Sequence, residues 1–210
     1  MQLGVGTRQL NRSFPMLIKK DHSLETAFTD VHDQLKRAGV DKNHKFRFFS
    51  VATLKSDEKT IPQSRMVVLR SFSDDWAFEF YTDHRSSKAN EIESNPVISA
   101  LFWDPPKRVQ VRIEANVTLH NLDDVAASRW KDVQGEAQKA YTSTIAPGSE
   151  IKTPDEAHEW PEAFSSDYFC VVSCRAVKIK VLQISGMEHL AFRCRKQAGS
   201  DGWQKSWIAP

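Results

Sequence analysis

The chain has 210 residues, 40% of them hydrophobic, enough to bury one full core, and its length suits a single domain over 1–210 better than two complete ones. Charged residues make up 27%, but 29 Lys and Arg stand against 27 Asp and Glu, so no global field draws the protein to nucleic acid or to a membrane surface, and any anion site must be local. No stretch approaches the roughly 20 apolar residues of a membrane span, and the opening MQLGVGTRQLNRSFPMLIKK lacks the apolar run of a secretory leader. Three cysteines, Cys170, Cys174 and Cys194, are an odd number and suit a reducing, cytoplasmic setting.

From Ser23 the apolar positions Leu24, Ala27, Phe28, Val31 and Leu35 recur at helical spacing, which predicts a helix over about 23–39 with Ser23 as N-cap and Gly39 as stop. After Asp41 the pattern changes to short β runs, Phe46 to Leu54, Arg65 to Phe72, Trp76 to Thr82 and Val97 to Trp103. The clearest strand is Arg108 to Thr118, where Val109, Val111, Ile113, Ala115 and Val117 alternate with Arg108, Gln110, Arg112, Glu114 and Asn116. Ser86 to Ser94 reads as a short helix that opens with two serines and stops before Asn95-Pro96. A helical insertion follows over about 121–145, with Asp123 and Asp124 in its first turn and Trp130 on its apolar side, and then a polar loop to about Pro161. The tail returns to β at Tyr168 to Ser173, Val177 to Val181, Leu190 to Arg195 and Trp203 to Ile208. Seven or eight short strands with helices between them point to a mainly β barrel, with core segments 45–120 and 167–210, rather than to a doubly wound sheet.

Two constellations carry chemistry. Arg65 and Arg70 bracket an apolar strand, and after a turn come Phe80-Tyr81-Thr82 and then Ser86-Ser87-Lys88, with the lysine at a helix start where free N–H groups favour an anion. Charges at strand ends are more often solvated edge residues, so spacing alone leaves both readings open. Gln110 lies on the polar face of the long strand; a glutamine both donates and accepts, so it can read a heterocycle edge, although any exposed face also carries such residues. His189 is the histidine best placed to act as acid or base, with a surface role the commoner one. Cys170 and Cys174, on one face of a predicted strand, read as buried apolar residues rather than zinc ligands, and no metal-ligand spacing appears among the histidines.

The order SRMVVLR, FYTDHRSSKANEIESNP, LFWDPPKRVQVRIEANV and a closing WIAP resembles the pyridoxamine 5'-phosphate oxidase family of FMN-binding split barrels, densely over about 45–120 and more loosely in the tail. The resemblance implies a split β-barrel with peripheral helices, FMN as cofactor, and a homodimer with the flavin at the subunit interface. It implies that Arg65, Met66, Val67, Val68, Leu69 and Arg70 lie along the flavin, that Tyr81 and Thr82 contact it, and that Lys88 holds its phosphate. Ser87 stands where the family often has arginine, which removes one phosphate charge. Gln110 matches the glutamine that reaches FMN across the interface, Arg193 fills the place of a later arginine, and Thr142 and Ser143 fall near a further polar contact.

The tail departs from the pattern. Leu182 replaces a tryptophan, no Arg-x-His triplet follows, and Ser206-Trp207 replaces the arginine of the usual ending. FMN binding is therefore better supported than oxidation of pyridoxine phosphate. The expected function is an FMN-dependent oxidoreductase acting on a small molecule by hydride transfer to the flavin, with no identifiable catalytic side chain. A flavin carrier without turnover and a cofactor-free dimeric barrel are the alternatives; retained Arg65, Lys88 and Gln110 argue against the second of these.

Overall fold

A computed structural model of the chain describes residues 15–55, 60–197, 199–200 and 202–210. The leader expectation rests mostly on residues 1–14 and lies outside the described residues. Helix α1, Leu24–Val40, starts at the expected cap: the Ser23 hydroxyl accepts from the Thr26 amide at 3.0 Å. Its buried face is Ala27, Phe28, Val31, Leu35 and Ala38. Gly39 does not stop it. The helix runs on to Val40, and Gly39 marks where it presses on the Ser71-Phe72 backbone, since a Cβ there would lie 3.1 Å from the Phe72 nitrogen.

The strands are β1 Phe48–Lys55, β2 Ile61–Val68, β3 Ser71–Phe72, β4 Ala77–Asp83, β5 Val97–Asp104, β6 Val109–His120, β7 Phe169–Gln183, β8 Leu190–Lys196 and β9 Trp203–Ile208. All their pairings are antiparallel, in the order β2-β1-β5-β6-β7-β4-β3, with β8 on β7 and β9 on β8. Two short helices, α2 Ser87–Ser94 and α3 Asp124–Trp130, lie on the periphery of this mainly β fold. Among the described residues no helix is long and apolar enough to cross a membrane.

Four sequence expectations are corrected here. The run 65–72 breaks, because the chain crosses the barrel seam there: the Leu69 amide donates to Arg47 O and the Arg70 amide to Glu79 O, both at 2.8 Å. Conversely, 168–173 and 177–181 are one 15-residue strand, β7, in which Val177 is an extra residue opposite the Glu114/Ala115 step of β6. Nine strands result. Arg108 and Trp76 precede their strands in left-handed conformations, φ 52° and 62°. Arg108 is held there by the buried Gln183, whose amide donates to Lys107 O and Arg108 O while its oxygen accepts from Leu17 and Ile18. The helical reading of 121–145 shrinks to α3 and a 3₁₀ turn over Gly135–Tyr141, because Gly135 adopts φ 58° between them.

Phe46, Phe49, Phe78, Phe80, Phe102 and Phe192 fill the interior, with Phe49 and Phe102 stacked at 4.5 Å and Phe78 and Phe80 edge-on to Phe49 at 5.9 Å. Truncating any one to alanine removes roughly 3–5 kcal/mol. A second cluster, Ala126, Val133, Tyr141, Phe169 and Val171, pins the 124–141 segment against β4 and the start of β7. The Arg129 guanidinium adds a two-point ion pair to Glu79 at 2.8 and 3.1 Å.

Candidate functional site

Fastening that segment over β4 makes a cleft. Its lining comes from β2 (Met66, Val67, Val68), from β4 (Tyr81, Thr82, Asp83), from Lys88 on α2, and from Ala140, Tyr141 and Pro147, around about 250 Å³. The loop is held shut by Arg85, which pairs with Asp83 at 2.7 Å, donates to Ser143 O at 2.7 Å and lies 3.4 Å over the Tyr168 ring. Arg85 thus serves structure and does not stand in for the charge missing at Ser87.

One end of the cleft is cationic. Lys88 Nζ donates to Thr82 Oγ1 at 2.9 Å, and burial, with the neighbouring Arg65 charge, pulls its pKa below the usual lysine value. Arg65 is held beside it by Gln63 O, by the Thr53 hydroxyl and by a 2.7 Å ion pair with Glu91, whose side chain is 7% exposed; Thr53 also donates to Glu91. The other end is aromatic. Arg70 lies over the Tyr81 ring at 5.3 Å and donates to the Tyr141 hydroxyl at 3.2 Å, while its Nε is buried with no partner among the described residues. Burial raises the Tyr81 pKa, so the phenol stays protonated at neutral pH. Such a cleft suits a ligand anionic at one end and flat at the other.

The fold therefore brings six sequence-predicted residues into one cavity, Met66, Val67, Val68, Tyr81, Thr82 and Lys88, with Arg65 and Arg70 at its two ends. Leu69 is fully buried in the core, and Ser87 is exposed in the first turn of α2. Thr142 is buried with its hydroxyl donating to Gln138 O. Gln110 on β6 and Arg193 on β8 are outside the lining, on other strands of the sheet. His189 is an exposed residue whose Nδ1 accepts from the Ser185 amide. All three cysteines are buried free thiols. Sequence reasoning missed Thr53, Asp83, Glu91 and Tyr141; only Glu91 carried a signal, lying three residues after Lys88 on the same helix face.

The outer face of β2, β1 and β5 is apolar and exposed: Met66 is 62%, Phe48 59% and Trp103 39% accessible. Met66 and Leu101 stand in one row through Ser50, and Trp103 is opposite Gln110.

Residues 26–121 match the family model of the pyridoxamine 5'-phosphate oxidase FMN-binding domain. A pyridoxine/pyridoxamine 5'-phosphate oxidase from Ruegeria sp. (strain TM1040) is 26% identical over 77% of this chain and 84% of that protein. The pyridoxine-5'-phosphate oxidase of Bos taurus is 35% identical over 48% of this chain, a match that spans only 38% of the bovine protein. In fold, the chain resembles a pyridoxamine 5'-phosphate oxidase-related, FMN-binding protein from Nostoc punctiforme PCC 73102, with a TM-score of 0.71, 22% identity and coverage of 87% and 96% of the two chains. PhzG from Burkholderia lata 383, solved with tetrahydrophenazine-1-carboxylic acid, is similar at a TM-score of 0.70 and 16% identity, over 87% and 92%.

Proposed function

Because the chain belongs to the pyridoxamine 5'-phosphate oxidase-like family of FMN-binding split barrels, we propose that it is a homodimeric FMN-dependent oxidoreductase acting on a small molecule. The observation that carries this reading is the gathering of Met66, Val67, Val68, Tyr81, Thr82 and Lys88 around one cavity with a cationic end. The donors fit a phosphate: at the cationic end Lys88 is partly desolvated beside Arg65 and donates to the Thr82 hydroxyl.

In this reading Lys88, Arg65 and Thr82 hold the phosphate, the 66–68 strand and Tyr81 support the ring, and Gln110 and Arg193 of the partner subunit complete the site. FMN bound there would supply the redox chemistry, hydride acceptance from a substrate. The chain's own residues bind, orient and exclude water. Tyr141 and Pro147 roof the cavity, and Arg70 keeps a fixed positive charge beside Tyr81. The absence of an Arg-x-His triplet and the Leu182 substitution favour a substrate other than pyridoxine phosphate.

Titration of the purified protein with FMN, followed by absorbance and flavin fluorescence, tests the reading. Saturable uptake of one FMN per chain, weakened at least tenfold by Lys88→Ala, is expected. No uptake would leave only the barrel, and unchanged affinity in Lys88→Ala would move the phosphate elsewhere. Anaerobic bleaching of the bound flavin by a small-molecule substrate that leaves free FMN oxidised separates an oxidoreductase from a carrier.

A further inference from the structure

The loop that follows the roof of the cleft encloses a second and larger cavity. It measures about 390 Å³ against about 250 Å³ for the cleft, and Ala140 and Pro147 line both, so the two share a wall at these small residues. The loop is tied at its neck, where the Thr144 amide donates to Glu159 O at 3.3 Å. A compact surface loop with its ends held together is a recurrent platform for binding. Its residues also set the shared wall. In Ala146-Pro147-Gly148-Ser149 the Ser149 amide donates to Ala146 O at 3.2 Å, the proline presets the second position, and Gly148 takes φ 89°, the conformation that a type II turn demands of its third residue.

Two large apolar side chains in the lining stay in contact with water: Ile151 is 39% and Trp160 36% exposed. Trp160 is nonetheless fixed. Its Nε1 donates to Lys139 O at 3.1 Å, and the Lys139 ammonium lies 4.9 Å from the ring centroid. An indole held in place before a ligand arrives loses little conformational freedom on binding one. Among the described residues Lys139 is the one charged residue in the lining, and its ammonium is already paired with Glu136 at 2.6 Å. The cavity thus offers an aromatic side chain, aliphatic walls and no unpaired charge, the opposite of the cationic end of the cleft. Its volume lies within the roughly 300–1,000 Å³ usual for small-molecule pockets. A subunit contact fits the loop less well, because Glu150, Lys152, Asp155 and Glu159 are exposed on it and the core of an interface is depleted of such charges.

We propose that this cavity binds the protein's substrate by a neutral, planar aromatic ring system packed against Trp160 and Ile151, and so sets specificity beside the flavin. The role as substrate site rests on the flavin reading above, whereas the cavity and the class of ring it takes rest on the loop alone.

The probe is 2-naphthol, titrated calorimetrically into the protein with and without saturating FMN. Saturable binding of one 2-naphthol per chain is expected, at least tenfold tighter than that of the anionic naphthalene-2-sulfonate. Trp160→Ala should weaken it at least tenfold and Trp160→Phe should retain most of it, with melting temperatures equal to that of the parent. Trp207→Ala, which removes an exposed tryptophan outside the cavity, should leave binding unchanged. In the FMN-loaded protein 2-naphthol should shift the flavin absorption band, since Ala140 and Pro147 border both sites. No saturable binding, equal or tighter binding of the sulfonate, equal weakening by Trp207→Ala, or binding that leaves the flavin band unmoved would each overturn the proposal. So would loss of the dimer in Trp160→Ala, which would make the loop a subunit contact. Intact 2-naphthol binding in a protein that takes up no FMN would support the cavity and sink the flavin reading alone.

Discussion

Arg65 reaches the cleft already committed, because its guanidinium is bound to Thr53 and to the buried Glu91 carboxylate. The cationic end therefore carries Arg65 and Lys88 against one fixed negative charge, and Ser87 adds none. A unit charge about 6 Å from a phosphate is worth about 3 kcal/mol at an effective dielectric of 20. Glu91 opposes a phosphate while it holds Arg65 in place. Glu91→Gln is expected to lower the stability of the FMN-free protein by about 1–3 kcal/mol, because Arg65 and Thr53 lose a charged acceptor. The same change should tighten FMN binding about tenfold; urea melts with and without FMN measure both, and an unchanged affinity would show that Glu91 does not face the phosphate. Arg65, Tyr81, Thr82 and Lys88 were legible by residue type and order. Glu91 left only its spacing from Lys88 as a signal, because a glutamate on a short helix reads as solvated until α2 docks on β1.

At the scale of elements, periodicity located nearly every helix and strand but not the joins between them. The apolar β run continued unbroken through Leu69 and Arg70, yet the chain changes strand partner there; the β pattern lapsed between Ser173 and Val177, yet β7 runs through as one strand with Val177 as a bulge. Both depend on which neighbour supplies the hydrogen bonds, a tertiary fact. Gly39 illustrates the same point, since a glycine chosen for close approach to β3 looks the same as a helix stop. The sheet interior also sets the thiol chemistry. Burial pushes the Cys170 and Cys194 thiols up to about 12, and Cys174 upward as well. The unfolded thiol releases its proton near 8.5, so between about pH 8.5 and 12 the unfolded state binds fewer protons than the folded one. Stability contributed by these thiols is thus whole below about pH 8.5 and falls as pH rises, by at most about 1.4 kcal/mol per pH unit for each. Native protein should react slowly with a thiol reagent at pH 8 and titrate all three cysteines once unfolded in urea; rapid reaction of the native protein would contradict their burial.

For the whole molecule, the exposed Phe48, Met66, Leu101 and Trp103 form an apolar face that one chain leaves uncovered, and Gln110 lies beside it. A second copy seated there would bury this face and bring Gln110 toward the other chain's cleft. Trp103→Glu is expected to shift the protein from dimer to monomer in sedimentation and to weaken FMN binding, while circular dichroism stays unchanged. A monomeric parent, or a dimer that persists in the variant, would separate the flavin site from assembly. The sequence by itself determined the mainly β architecture, the α1 cap and buried stripe, and the residue types of the cleft, because periodicity, capping and ordered motifs are local properties of a chain. Only the tertiary structure decided that Glu91 neutralises Arg65, that the 124–141 segment roofs the cleft, and that Met66, Ser50 and Leu101 share one row. Each of these joins residues distant in sequence, and strand register and helix docking, not the chain's own order, make them neighbours.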